Sequence, residues 1–116
     1  MTDLNEQTAV LRPLTRPTAY TVSMFAEPTI DSHVFDITIE ETAPGRWAVR
    51  HLGKCLSVVG EWDHEPISSS RTDEWLNEHR FDLRTAREQA EFEAPNIVVN
   101  GYRAAGVALR ASKAGA

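Results

Sequence analysis

Trp47-Ala48-Val49-Arg50-His51-Leu52-Gly53-Lys54-Cys55-Leu56-Ser57-Val58-Val59-Gly60-Glu61-Trp62-Asp63-His64-Glu65-Pro66 is the stretch on which the fold turns. Trp47 and Val49 alternate with Ala48 and Arg50, Gly53 stands where a turn is needed, and Cys55 to Val59 resumes an extended, more apolar run. A period of two places alternate side chains on one face of a sheet, so the stretch predicts a β-hairpin. Its exit, Gly60 to Pro66, joins a turn glycine, an aromatic set among acids and a proline stop. Core packing gives no obvious reason for that composition.

Toward the N-terminus, Phe35, Ile37 and Ile39 fall on one face of Val34 to Glu41, while Asp36, Thr38 and Glu40 fall on the other. This is the pattern of a half-buried antiparallel strand. Ala43-Pro44-Gly45 supplies a fixed φ followed by a residue tolerant of positive φ, the chemistry of a tight turn. Trp47 and Val49 then lie across from Ile39 and Ile37, with Arg46 and Arg50 near Glu40 and Asp36 for charge pairing. Ala19 to Ala26, in which Tyr20, Val22 and Met24 alternate with Thr21 and Ser23, reads as a first strand. Residues 1–18, with Pro13 and Pro17 and no sustained period, read as a flexible leader.

Toward the C-terminus, Ser70 and Asp73 resemble a capping pair for a short helix holding Trp75, Leu76 and His79. Asp82 is placed to cap a second helix over 83–94, whose apolar stripe is Leu83, Ala86, Ala90 and Ala94 and which Pro95 stops. Ile97-Val98-Val99 is a short strand or an extended link, and Asn100-Gly101 turns into a last helix over 102–112 with Ala105, Val107 and Leu109 inward. Residues 113–116 read as a frayed tail. Strands followed by helices predict one α+β domain over 19–112: an antiparallel four-stranded sheet, a β-meander, with two or three helices packed on one face and the other face open.

A chain of 116 residues needs one core, and 41% apolar with 25% charged residues is an ordinary globular composition. Nowhere do apolar residues run for the ~18 positions of a membrane span. Asp3 and Glu6 stand where a secretory signal carries positive charge, and Cys55 has no second cysteine to pair with. The expectation is a cytoplasmic protein in a reducing compartment. Seventeen acidic against twelve basic residues, a net charge of −5, argue against sequence-independent binding to nucleic acid and suit a basic partner better.

Trp47-Ala48-Val49, Lys54-Cys55-Leu56, Gly60-Glu61-Trp62-Asp63 with Glu65-Pro66, Ser70-Arg71-Thr72-Asp73-Glu74-Trp75-Leu76, His79-Arg80-Phe81-Asp82-Leu83 and Val98-Val99-Asn100-Gly101, in this order, resemble a family of small uncharacterised proteins of actinobacteria and their bacteriophages. The resemblance covers roughly residues 19 to 110 and leaves the leader outside. It implies an actinobacterial or phage lineage, intracellular residence and an accessory role. It brings no catalytic residue.

Asp63-His64-Glu65 has the donor types of a metal site, but in an extended segment Asp63 and Glu65 share a face with His64 opposite, so His51 or His79 would have to fold in. Cys55 and His51 lie across the Gly53 turn, a spacing that lets an imidazole approach a thiol, although a lone cysteine between Lys54 and Leu56 is more often a small buried hydrophobe. Of the three tryptophans Trp47 belongs to the core, and Trp62 between two acids is the best contact residue. Arg80, Arg84 and Arg87 could line a basic helical face, yet Glu88, Glu91 and Glu93 interleave and favour a solvated, ion-paired one. The reading is a non-enzymatic accessory protein that binds another protein or itself through the sheet or the Trp62 loop, using Trp62, Asp63, His64, Glu65 and Trp75. No catalytic residue, metal or cofactor is assigned. The alternatives are a small metal- or thiol-dependent hydrolase using His51, Cys55, Asp63, His64 and His79, and a nucleic-acid-binding module.

Overall fold

The structure is a computed structural model and describes residues 11–114. Five strands, β1 (Ala19–Val22), β2 (Ile37–Ala43), β3 (Arg46–His51), β4 (Lys54–Leu56) and β5 (Trp62–His64), form one antiparallel sheet in the order β1-β2-β3-β4-β5. The α+β class and the meander are as expected, but the sheet has five strands rather than four. The additional strand is the aromatic-acidic exit itself, which doubles back on β4 with Leu56 opposite Trp62, Cys55 opposite Asp63 and Lys54 opposite His64. Ser57 makes the reversal: its N–H donates to the Glu61 carbonyl at 2.8 Å, and its hydroxyl accepts from the Glu61 N–H at 3.0 Å. That closure ends β4 at Leu56 rather than Val59, so Val58 and Val59 are exposed instead of serving as scaffold. β1 likewise ends at Val22, short of Ala26.

One residue sets the register of the central hairpin. Ala43 pairs with Arg46 across Pro44-Gly45, where Gly45 has φ +72°, and the ladder then skips Thr42 so that Glu41 faces Trp47 and Ile39 faces Val49. Continuing from that turn without the bulge would set Ile39 opposite Arg50, driving apolar side chains onto the polar face. The bulge restores apolar against apolar, with Val49 opposite Ile39 rather than Ile37.

Ile37, Ile39, Trp47, Val49 and Leu56 share one face and pack with Phe35 against the alanines of α2 (Leu83–Glu93). Ala86 and Ala90 are fully buried, and their small size lets the helix lie close on the sheet. Asp82 caps α2, its carboxylate accepting from the Thr85 N–H at 2.8 Å. The shorter helix α1 (Asp73–Glu78) is capped by Thr72, which accepts from the Trp75 N–H at 3.1 Å, and not by Ser70, which lies in the preceding 3-10 turn. Asn100 (φ 52°) and Gly101 (φ 80°) close a small hairpin between β6 (Val98–Val99) and β7 (Tyr102–Arg103). This delays α3 to Ala104–Ala114, whose inward residues are Ala104 and Val107 while Leu109 is exposed.

Ala48, Arg50, Cys55 and Asp63 occupy the opposite face by register. The end of α1 and the residues after it cover that face over β3 to β5, so the helices are split between two faces rather than gathered on one. The face stays open over β1 and β2, where Thr21, Thr38 and Glu40 are exposed. Of the expected leader, Arg16 reaches Glu41 at 2.6 Å and the Thr18 carbonyl accepts from the Glu41 N–H at 2.9 Å; residues 1–10 and 115–116 lie outside the described residues. Among the described residues no helix is long and apolar enough to cross a membrane.

Candidate functional site

β4 is too short to cover the whole of β3, and Phe81 takes its place at the far end. Trp47 and Phe81 exchange both backbone hydrogen bonds, N–H to O at 2.7 and 2.9 Å. Paired residues share a face, so Phe81 turns to the apolar core and Arg80, one residue earlier, turns to the opposite face above Cys55. The Arg80 side chain is 2% exposed. Its Nε donates to the Thr42 hydroxyl at 3.0 Å and its Nη1 to the His79 carbonyl at 2.8 Å, with Cys55 Sγ 3.5 Å away. Thr42 is the bulge residue, so the irregularity that sets the register also supplies a ligand for this guanidinium. Trp75 adds its ring 5.4 Å from the guanidinium carbon.

Glu65 is the counter-charge. It accepts from Arg50 Nε and Nη2 at 2.7 and 2.8 Å, a bidentate pair, and forms ion pairs with Arg71 Nη2 at 2.8 Å and Arg80 Nη2 at 3.6 Å. The Arg50 hydrogen bonds hold the Glu65 carboxyl below its ordinary value, and burial is the largest influence on Arg80, lowering its pKa. Arg71 is fixed further by its Nε donating to the Pro66 carbonyl at 2.8 Å. Arg80 Nη2 is buried with no hydrogen-bond partner among the described residues.

The other polar pair on this face is Asp63 and His79. His79 bonds Asp63 through Nε2 at 2.8 Å and the Trp75 carbonyl through Nδ1 at 2.7 Å, while its ring stacks on Trp75 at 4.0 Å with planes 9° apart. The Trp75 carbonyl and the Asp63 carboxylate both only accept, so a ring with a single N–H can donate to one of them at a time. Cys55 is fully buried, and burial pushes its thiol pKa up. Its sulfur faces the His79 carbonyl at 3.7 Å rather than an imidazole.

These contacts sort the residues singled out by sequence. Asp63, Glu65, Trp75, His79 and Cys55 are brought together on the face opposite the apolar core. Trp62 and His64 share the other face by register; Trp62 packs against the core with its ring 6.0 Å from His51, and His64 is exposed. His51, paired with Lys54 while Cys55 pairs with Arg50, lies across the sheet from the thiol and contacts the Val34 carbonyl at 2.8 Å. Among the described residues no three His, Cys, Asp or Glu groups stand together in metal-holding geometry. Arg84 and Arg87 pair along α2 with Glu88 and Glu91 at 3.2 and 3.9 Å, as the interleaving suggested. Arg80, grouped with them by spacing, is buried elsewhere.

Beside Arg80 opens a cleft of about 240 Å3, lined by Thr42, Ala43, Arg46, Ser68, Arg71, Leu76 and Arg80. Arg46 stands at its edge with Nη2 donating to the Asn77 side-chain oxygen Oδ1 at 2.9 Å. A larger hollow of about 500 Å3 runs along α2 between Leu83 and Glu91, but its arginines are spent on the adjacent glutamates. Reading by sequence passed over Arg46, Ser68 and Arg71 as ligands, and the signal that could have found them is faint: Arg80 between His79 and Phe81, immediately before a capping aspartate. Comparison with protein-family models, curated proteins and solved structures finds no match for this chain.

Proposed function

We propose that this chain is a non-enzymatic interaction protein that docks a protein partner on the face carrying Glu65 and Trp75, with the arginine-lined cleft as the point of contact. The observation that carries this reading is the buried Arg80 guanidinium, whose Nη2 lies 3.6 Å from Glu65 but makes no hydrogen bond among the described residues and which lines an open cleft. Leaving a buried donor unsatisfied costs about 1–3 kcal/mol, more when the group is charged, and an acceptor brought by a partner recovers that cost. Ile67, 71% exposed beside Ser68, gives the rim an apolar contact.

Addition of a strand to a sheet edge is less favoured. β1 follows Pro17 closely, and β5 spans three residues and is soon followed by Pro66, so both edges are short and flanked by proline. The cytoplasmic location and the actinobacterial or phage lineage implied by resemblance belong to the same proposal.

A photoreactive amino acid placed at Ser68, with Lys54 on the other face as the control position, tests the reading. In a lysate of the source cell, one protein crosslinked from position 68, absent from position 54 and lost in Arg46→Glu, is the expected outcome. Equal capture from both positions, or capture that Arg46→Glu leaves intact, would refute it.

A further inference from the structure

Resting on that reading, we infer that the group received in the cleft is a phosphoryl group on a partner's side chain, a phosphoserine or phosphothreonine monoester. Three guanidinium groups reach the cleft from three separate parts of the chain: Arg46 from β3, Arg71 from the loop before α1, and Arg80 from the position before Phe81, which pairs with Trp47. Ser68 adds a hydroxyl, whereas that of Thr42 donates to the Arg46 carbonyl at 3.3 Å and accepts from Arg80. Several of their donors are already committed: Arg71 Nε and Nη2 to Pro66 and Glu65, Arg46 Nη2 to Asn77, Arg80 Nε and Nη1 to Thr42 and His79. These bonds hold the planes of the three groups in place and leave Arg80 Nη2, 3.6 Å from Glu65, without a hydrogen bond among the described residues. Donors approaching from several directions suit a tetrahedral oxyanion with three acceptor oxygens better than a planar carboxylate with two.

Charge and size agree. Four guanidinium groups, Arg46, Arg50, Arg71 and Arg80, stand in and behind the cleft against two carboxylates, Glu65 and Glu40; the excess is two positive charges, and a phosphate monoester carries about −1.5 to −2 at neutral pH. The volume of about 240 Å3 lies below the ~300–1,000 Å3 of sites that enclose a whole drug-sized ligand, so the cleft holds the head of a side chain and leaves its carrier outside. The chain as a whole carries −5, which gives an anion no long-range attraction, so affinity arises from short-range charge-assisted hydrogen bonds and depends weakly on salt.

Isothermal titration of the full chain with N-acetyl-phosphoserine amide, N-acetyl-aspartate amide and inorganic phosphate at matched ionic strength tests this. The expected result is that the phosphoserine probe binds at least about tenfold tighter than the aspartate probe, the worth of one further charge-assisted hydrogen bond. Arg46→Gln, at the partly exposed edge of the cleft, should weaken the phosphoserine probe by about tenfold or more while the fold persists by circular dichroism, and Lys54→Gln should leave it unchanged. No phosphoserine binding by the folded protein, or binding indifferent to Arg46→Gln, would overturn the inference. Inorganic phosphate binding tighter than the phosphoserine probe would overturn the side-chain carrier. A site-68 crosslink that persists without phosphoserine binding would place the failure in the class of ligand; loss of that crosslink would place it in the docking reading itself.

Discussion

Glu65→Gln should be the most damaging isosteric change in the chain. The substitution keeps the shape of the side chain but turns one acceptor oxygen into an NH2 that meets a guanidinium. Glu65 accepts two charge-assisted hydrogen bonds from Arg50 and ion-pairs with Arg71, all within 2.8 Å at 11% side-chain exposure, so at least one of these contacts is replaced by a donor facing a donor. Breaking such a pair while leaving its cations in place costs about 3–5 kcal/mol. For a domain of this size that lowers Tm by about 10–20 °C. The pH dependence carries a second signature. The Glu65 carboxyl lies below its ordinary 4.5 in the folded state, so the stabilisation is complete above pH 4.5 and is lost as pH falls through the folded value. Thermal unfolding followed by circular dichroism should therefore show a large gap between wild type and Glu65→Gln at neutral pH that narrows on acidification below 4.5. A Tm within about 3 °C of wild type at neutral pH, or a gap that stays constant into acid, would refute the account of this ion cluster.

Deleting Thr42 removes the bulge but keeps the Pro44-Gly45 turn, with Glu41 opposite Trp47 and Ile39 opposite Val49, so the variant should keep a cooperative thermal transition while losing about 1–3 kcal/mol with the hydroxyl that accepts from Arg80; loss of the cooperative transition would contradict the register given to the hairpin. Thr72→Ala removes the acceptor for the Trp75 N–H and should cost about 1 kcal/mol by urea unfolding, with no change in the urea m-value. Cys55, fully buried with its pKa raised, should react with a thiol reagent at the rate of global unfolding, and prompt labelling of the folded protein would contradict its place beneath Arg80.

The legible parts of the fold were those governed by short-range repetition. Alternation at Ile37, Ile39, Trp47 and Val49 marked the buried face of the hairpin, and Ala86, Ala90 and Ala94 at helical spacing marked the helix laid on it. Asp82 announced its cap, because capping is decided within one turn. What stayed hidden depends on pairings between distant residues. Trp62-Asp63-His64 is too short for a period to show, and it becomes a strand because Ser57 closes a loop back onto β4. The helix split between faces follows from Phe81 pairing with Trp47, which no local pattern encodes. For the site, Asp63, Glu65 and Trp75 were among the residues chosen, whereas Trp62 and His64 lie across the sheet from them. Arg80 was hidden for a physical reason: an arginine is read as solvated unless its partners are known, and Thr42, Cys55 and Glu65 reach it through the bulge and β4–β5.

The account is tested most directly by following the arginine Nε–H resonances while N-acetyl-phosphoserine amide is added to the full chain. Arg46, Arg71 and Arg80 are predicted to shift together and to saturate at one equivalent per chain, with Arg84 and Arg87 on α2 unmoved. Shifts confined to Arg84 and Arg87, or none from the cleft arginines at concentrations that saturate binding, would contradict it.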